Sequence, residues 1–241
     1  MKLLADFGNT RVKVAVVTPS GPELVYCGPV DISAMKQSVG ACCPGNGMWC
    51  AVHTVDSEVE AWMLSIGMRR LDACTPTPLK VEYGTPDTLG MDRLAAAAGA
   101  WSMAPGNDML VIDAGTAITA DFVRSDGTFA GGNICPGVEM RLKSLHEHTG
   151  SLPLIGRDGD CPEFGYDTET AIRSGVLRGV RLEIEALIER TRRKHRHLLV
   201  FLTGGDANCF DLKVKSGIFA TPNLVLNGLD CIERYNENKD R

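Results

Sequence analysis

The chain has 241 residues, 44% of them hydrophobic and 23% charged, enough for a sizeable core in one or two domains. A net charge of −5 with no large basic block argues against a nucleic-acid binder, which needs clustered Lys and Arg. No apolar run approaches bilayer-spanning length, and Asp6 interrupts the opening where a signal peptide would stay apolar, so a cytoplasmic protein is expected.

Taken from the start, Lys2–Ala5 forms an apolar strand that ends on Asp6-Phe7-Gly8-Asn9-Thr10. Val12, Val14 and Val16 then alternate with Lys13 and Ala15, the pattern of a strand with one buried face. Residues 2–17 therefore read as two antiparallel strands joined by a polar turn, and Glu23–Cys27 as a third strand. Asp31–Val39 reads as a short helix capped by Asp31 or Ser33, and Asp56–Ile66 as a second helix. Met48–Val52 is a short apolar strand between them, and Thr75-Pro-Thr-Pro is extended. Nine cysteines are scattered without a C-x-x-C pair. Cys42, Cys43 and Cys50 could be drawn as a metal cluster, but reduced, packed thiols fit a cytosolic chain better.

A polar loop from Tyr83 runs through Gly90-Met91-Asp92-Arg93 into an alanine-rich helix, Leu94–Trp101. Asp92 thus sits at a helix N-terminus. It is there either as a first-turn acid favoured by the helix dipole or as a base aimed at a bound substrate. Arg93 can pair with a neighbouring acid or grip a carboxylate with its planar fork. Pro105-Gly-Asn-Asp108 is the clearest break in composition, and the division expected is a lobe of residues 1–107 followed by one of 108–241.

Beyond the break, Leu110-Val-Ile-Asp113-Ala-Gly115-Thr116 repeats the opening pattern of strand, Asp, one residue, Gly and polar turn. A carboxylate at that strand end suits a cation, and the free N–H groups of the turn suit a phosphate. The plainer alternative is a tight hairpin in which Asp113 and Thr116 satisfy only the turn. Gly131–Gly137 reads as a loop and Val138–Thr149 as a helix, whose His146 and His148 do not share a face. Residues 151–164 form an irregular Gly- and Pro-containing stretch, read as a mobile or interface loop with no assignable residue. Asp167–Arg190 is one long helix or two, with Thr168 near its start as the expected cap. The basic run Arg190–Arg196 closes it as a solvated helix end. Leu198–Leu202 is a buried strand ending on Thr203-Gly204-Gly205-Asp206-Ala207, and Val225–Tyr235 a closing helix.

Three glycine turns after apolar strands would supply two phosphate loops and a platform for a nucleoside, clamped between two related lobes. A Walker P-loop and a strand-following G-x-G-x-x-G are both absent. The paired Asp-x-Gly turns with a late Thr-Gly-Gly resemble the superfamily of acetate kinase, sugar kinases, heat-shock chaperones and actin. Within it, Asp6–Lys13, Gly90–Arg93, Asp113–Thr119 and Gly131–Gly137 are similar in order and spacing to type III pantothenate kinase.

That resemblance implies an α/β fold of two actin-like (ribonuclease H-like) lobes, each with a mixed sheet of the five-stranded type, around a nucleotide cleft. It implies ATP-dependent phosphorylation of pantothenate, the first step of coenzyme A synthesis. Asp92 would be the general base; Asp6, Gly8, Asn9, Thr10, Lys13 and Thr116 would bind ATP with its Mg2+. Tyr83, Gly90, Met91, Asp92 and Arg93 would line the pantothenate site. Thr168 would reach substrate across a homodimer interface, and Asp113 would hold a monovalent cation, potassium or ammonium. Two rivals share the paired turns: another small-molecule kinase of the superfamily, which would replace Gly90–Arg93, and a nucleotide-binding regulator without turnover, which would not need Asp92.

Overall fold

The computed structural model describes residues 2–40, 46–207 and 217–239. Cys42, Cys43 and Cys209 lie outside them, and with the first two the imagined cluster around Cys50. Among the described residues, no group of three or more His, Cys, Asp or Glu is placed to hold a metal ion. None of the described helices is long and apolar enough to cross a membrane.

The chain folds as two compact units. The first comprises Met1–Met109, Asp121–Gly131 and Asn223–Arg241, the second Leu110–Ala120 and Gly132–Pro222.

The first unit is built on β1 (Lys2–Phe7), β2 (Val12–Thr18), β3 (Gly21–Gly28), β4 (Asn46–Ala51) and β5 (Met68–Arg70), in the order β3-β2-β1-β4-β5. β1–β2 and β2–β3 pair antiparallel, while β1–β4 and β4–β5 pair parallel. The alternating valines of β2 put Val12 and Val14 into the core with Leu3, Ala5 and Phe7 of β1. Helices α1 (Ile32–Val39) and α2 (Ser57–Ser65) add Met35, Val59 and Met63 to that same cluster. Asp31 caps α1, accepting from the Ala34 N–H at 3.0 Å, and Asp56 caps α2 from Glu58 at 2.8 Å. Phe7 meets Trp49 edge-on at 5.6 Å.

α3 (Met91–Met103) and α6 (Leu224–Lys239) pack as a pair within this unit. Their backbones come close because both present glycines at the crossing. A Cβ on Gly228 would overlap the Ala95 carbonyl, and one on Gly99 would meet the Leu224 carbonyl at 2.5 Å. The alanine run of α3 is therefore a packing requirement as well as a helix former.

The second sheet has six strands among the described residues: β6 (Lys80–Val81), β7 (Met109–Ala114), β8 (Ala117–Val123), β9 (Thr128–Pro136), β10 (Leu199–Thr203) and β11 (Ile218–Ala220). Their order is β11-β10-β7-β8-β9-β6. The stretch 131–137, expected as a loop, is instead mostly the second half of β9. Its glycines and Pro136 fall where the strand is largely exposed, where a sheet tolerates them. α4 (Val138–Glu147) and α5 (Thr168–Lys194) lie in the second unit, α5 as one continuous helix with Arg192, Arg193 and Lys194 in its last turn.

Candidate active site

Within the first unit, Asp6 stands near the end of β1, opposite Lys13 on β2 and Cys50 on β4. The turn after it is closed by Gly8 N–H donating to the Arg11 carbonyl at 3.1 Å, leaving Asn9 and Thr10 exposed. His53 meets the Gly8 carbonyl through Nε2 at 3.3 Å. The fully buried Cys50 thiol donates to Asp6 Oδ1 at 3.7 Å. Burial raises that thiol well above its ordinary pKa, and the charges of Asp6 and Asp92 push it further in the same direction. Asp6 and Asp92, far apart in sequence, thus act on one buried atom. The parallel register of β1 on β4, invisible in either strand alone, brings Cys50 beside Asp6.

Asp92 lies in the first turn of α3, half-buried. Gly90 is the N-cap residue and offers no side-chain cap of its own. A Cβ on Gly90 would come within 2.5 Å of Asp92 Oδ1. The glycine therefore leaves room for the Asp92 carboxylate to fold back over the helix end. There the backbone N–H groups of Arg93 and of Asp92 itself favour its charged form. Burial outweighs these contacts and the Arg93 charge, so the Asp92 pKa lies above its ordinary 3.8.

Arg93, one residue on, is spoken for within the unit. Its Nε donates to Asp121 at 3.1 and 3.2 Å and its Nη2 at 2.5 Å, with the two side chains 5% and 1% exposed. The guanidinium lies over the rings of Tyr83 at 5.6 Å and Phe129 at 6.0 Å, and Nη1 approaches the Tyr83 hydroxyl at 3.4 Å. Asp121 was not singled out by sequence reasoning, because its pairing with Arg93 depends on the fold. Gly131, at φ 107°, lets the backbone lie against the Tyr83 ring.

In the second unit the glycine turns meet one another. Gly115 and Thr116 join β7 to β8, with Gly115 N–H donating to Ala117 at 3.0 Å, so the hairpin geometry is present. Two other segments press on it. Gly137 donates to the Thr116 carbonyl at 3.0 Å, and a Cβ there would overlap the Gly115 and Thr116 carbonyls. Gly204, at φ 97°, lies where a Cβ would overlap the Ala114 carbonyl and stand 2.5 Å from Asp113 Oδ1. Asp206 N–H donates to the Ala114 carbonyl at 2.9 Å. The cradle around Asp113 is thus backbone packed on backbone, with Asp113 half-buried beside it. Gly115 itself would accept a Cβ at ordinary contact distances, 3.7 Å from its neighbours. The protein's own packing does not demand glycine there, whereas a ligand lying on the turn would.

Thr168 is the first residue of α5 and is exposed; it is not the cap. Asp167 caps, accepting from Thr170 N–H at 2.8 Å, and the Thr170 hydroxyl accepts from Asp167 N–H at 3.1 Å. The Asp167-x-x-Thr170 spacing was present in the sequence as a capping box, and it frees Thr168 from that role. Thr168 borders a groove of about 620 Å³ lined by Arg141, Leu145, Leu152, Ile172 and Val176.

The comparisons with known proteins agree with one another. A family model described as type III pantothenate kinase matches residues 48–190. A Bacteroides fragilis relative named type III pantothenate kinase is 45% identical, over 99% of this chain and 100% of that protein. Among solved structures, a conserved Campylobacter jejuni protein assigned to the Baf family of transcriptional activators superposes with a TM-score of 0.64 at 21% identity, covering 98% and 99% of the two chains. MreB 5 of Spiroplasma citri bound to AMPPNP gives 0.50 at 12% identity, covering 99% and 97%. At such identities the two structures speak to the fold alone, which is the actin-like one.

Proposed function

Because this chain belongs to the type III pantothenate kinase family, we propose how its own residues transfer a phosphoryl group from ATP to pantothenate in coenzyme A synthesis. Asp92 accepts the proton of the pantothenate primary hydroxyl as that oxygen bonds to the γ-phosphorus. The bond from phosphorus to the β–γ bridging oxygen breaks, and ADP leaves. The observation that carries this assignment is the setting of Asp92: a carboxylate in the first turn of α3, folded back toward Gly90 at the helix N-terminus and made more basic by burial. Phosphoryl transfer asks the protein mainly for positioning and charge neutralisation, so one carboxylate base suffices.

Gly90, Met91 and Tyr83 line the pantothenate side, and Arg93 acts there as the buried support that holds Tyr83. The Asp6–Lys13 turn forms the first phosphate loop. Thr116 and the turn from Thr203 to Ala207 take the nucleotide in the second unit. Asp113 and the carbonyls around it are oxygen donors only, a set that suits a hard cation, so we assign it potassium or ammonium. Magnesium arriving with ATP supplies charge neutralisation on the triphosphate.

The same reading makes the protein a homodimer through the face bearing Thr168. Support comes from small exposed residues, Ala171 and Gly175, on α5 beside the apolar groove, with open space at Gly175. Phe164, 84% exposed, stands on the segment just before that helix. A mass measurement in solution showing only monomer would remove this part alone.

The direct test is a coupled ADP-release assay run over pantothenate, common sugars and acetate. Release that depends on pantothenate, is lost in Asp92→Asn and needs potassium or ammonium rather than sodium is the expected result. ADP release with a sugar or acetate instead would reassign the substrate.

A further inference from the structure

We propose that Arg157, from the irregular loop between α4 and α5, is a positioning residue for the nucleotide turn that ends β10. The inference rests on the reading that this turn holds ATP. Arg157 Nη2 donates to Asp206 Oδ1 at 2.6 Å, and its Nε stands 3.4 Å from Glu139 Oε1 in the first turn of α4. These two acids belong to the two segments that press on the Asp113 turn. Asp206 gives its backbone N–H to the Ala114 carbonyl, and Glu139 follows two residues after Gly137, whose N–H goes to Thr116. One guanidinium therefore links both segments of the cradle.

The loop that carries Arg157 is itself built, not slack. Arg173 of α5, 7% exposed, donates through Nε to the Gly156 carbonyl at 3.2 Å and through Nη1 to the Asp160 carbonyl at 3.1 Å. Gly159, at φ 121°, packs against the same guanidinium, with a Cβ position 3.0 Å from it. The Tyr166 hydroxyl donates to Asp160 at 2.8 Å. A buried arginine thus fixes the loop on both sides of Arg157, and Arg157 carries that fixation to Asp206. Planar bidentate-capable geometry suits Arg for this task, where Lys would keep the charge and lose the fork.

A residue that holds the nucleotide turn should change ATP binding and leave pantothenate binding alone. In Arg157→Gln and Asp206→Asn we expect KM for ATP, and the Kd of a non-hydrolysable ATP analogue, to rise on the order of tenfold, with the double variant no worse than the single ones. KM for pantothenate should stay within about twofold, and Arg157→Lys should recover part of the loss. Equal rises in both KM values, additive effects, or a lowered Tm with unchanged ATP affinity would overturn the proposal. A second variant separates it from its premise. Gly205 has open space where a Cβ would stand, so Gly205→Val folds but fills the turn. If Gly205→Val weakens the analogue and the Arg157 variants do not, the positioning role fails alone. If Gly205→Val leaves analogue binding intact, the nucleotide-turn reading fails and the proposal falls with it.

Discussion

The neighbourhood of Asp92 and that of Asp113 are built from different materials. The first is a set of charged side chains in buried surroundings: Asp6 and Asp92 about the Cys50 thiol, and Arg93 locked to Asp121. The second is backbone against backbone, with Gly137 and Gly204 pressed on the carbonyls of the Asp113 turn. Side chains set protonation and charge, so substitutions in the first region should change chemistry more than fold. Close backbone packing has no slack, so substitutions in the second should change fold before chemistry.

The sharpest test of the first half is Asp92→Asn. It keeps the shape and removes the base, so kcat should fall by about 10²–10⁴-fold. Analogue binding should persist, since the nucleotide elements are untouched. An unchanged kcat with pantothenate would remove Asp92 from the chemistry. The pH profile adds a second reading. Because burial raises the Asp92 pKa, the acid limb of kcat should fall at a pH above the ordinary 3.8.

Asp121→Ala is the exception inside the first region, and it sharpens the comparison. It leaves the Arg93 guanidinium buried without its main partner, a change that costs about 3–5 kcal/mol. Urea unfolding should show it, together with a raised KM for pantothenate as Tyr83 loses its support. Double replacement of the pair by apolar residues should recover much of the stability and none of the KM.

In the second region, Gly137→Ala and Gly204→Ala should each destabilise by about 1–3 kcal/mol through forced shifts of the backbone. Gly115→Ala is the counter-case. Its Cβ has room, so unfolding should move by less than about 0.5 kcal/mol, while affinity for the ATP analogue drops. If Gly115→Ala destabilises as Gly137→Ala does, the turn is closed by its own packing and the contrast between the regions weakens.

The two Asp-x-Gly turns were legible because each is a local pattern: an apolar strand, an acid and a glycine. So were the helix entered at Gly90 and, to within Asp31 or Ser33, the cap of α1. What the sequence could not supply was partnership. Asp121 meets Arg93, and Cys50 meets Asp6, only through pairings between separated strands. Gly137 and Gly204 were visible as glycines, but the carbonyls they press on were not. The strands Met68–Arg70, Lys80–Val81 and Ile218–Ala220 are too short to leave a period-2 pattern. Thr168 is not the cap that its hydroxyl suggests: Asp167, the better acceptor beside it, caps α5, and the Asp167–Thr170 spacing carries that pattern in the sequence. Arg157 carried no local signal at all, since its meaning depends on Asp206, which lies on another loop.

The smallest expected effect tests whether function and stability oppose each other at Asp92. Folding raises its pKa, so folding favours the protonated form. Below the unfolded pKa the carboxyl is neutral in both states and folding carries no penalty from it. As pH rises through the folded pKa, the folded protein must hold a desolvated charge, and that stability is lost. Asp92→Asn removes the charge at every pH. Its Tm should therefore equal or slightly exceed that of the unaltered protein at neutral pH. The difference should shrink as the pH is lowered through the folded pKa of Asp92. A Tm clearly below that of the unaltered protein at neutral pH would mean that the N–H groups of Asp92 and Arg93 outweigh burial. The carboxylate would then be a helix cap first and a base second.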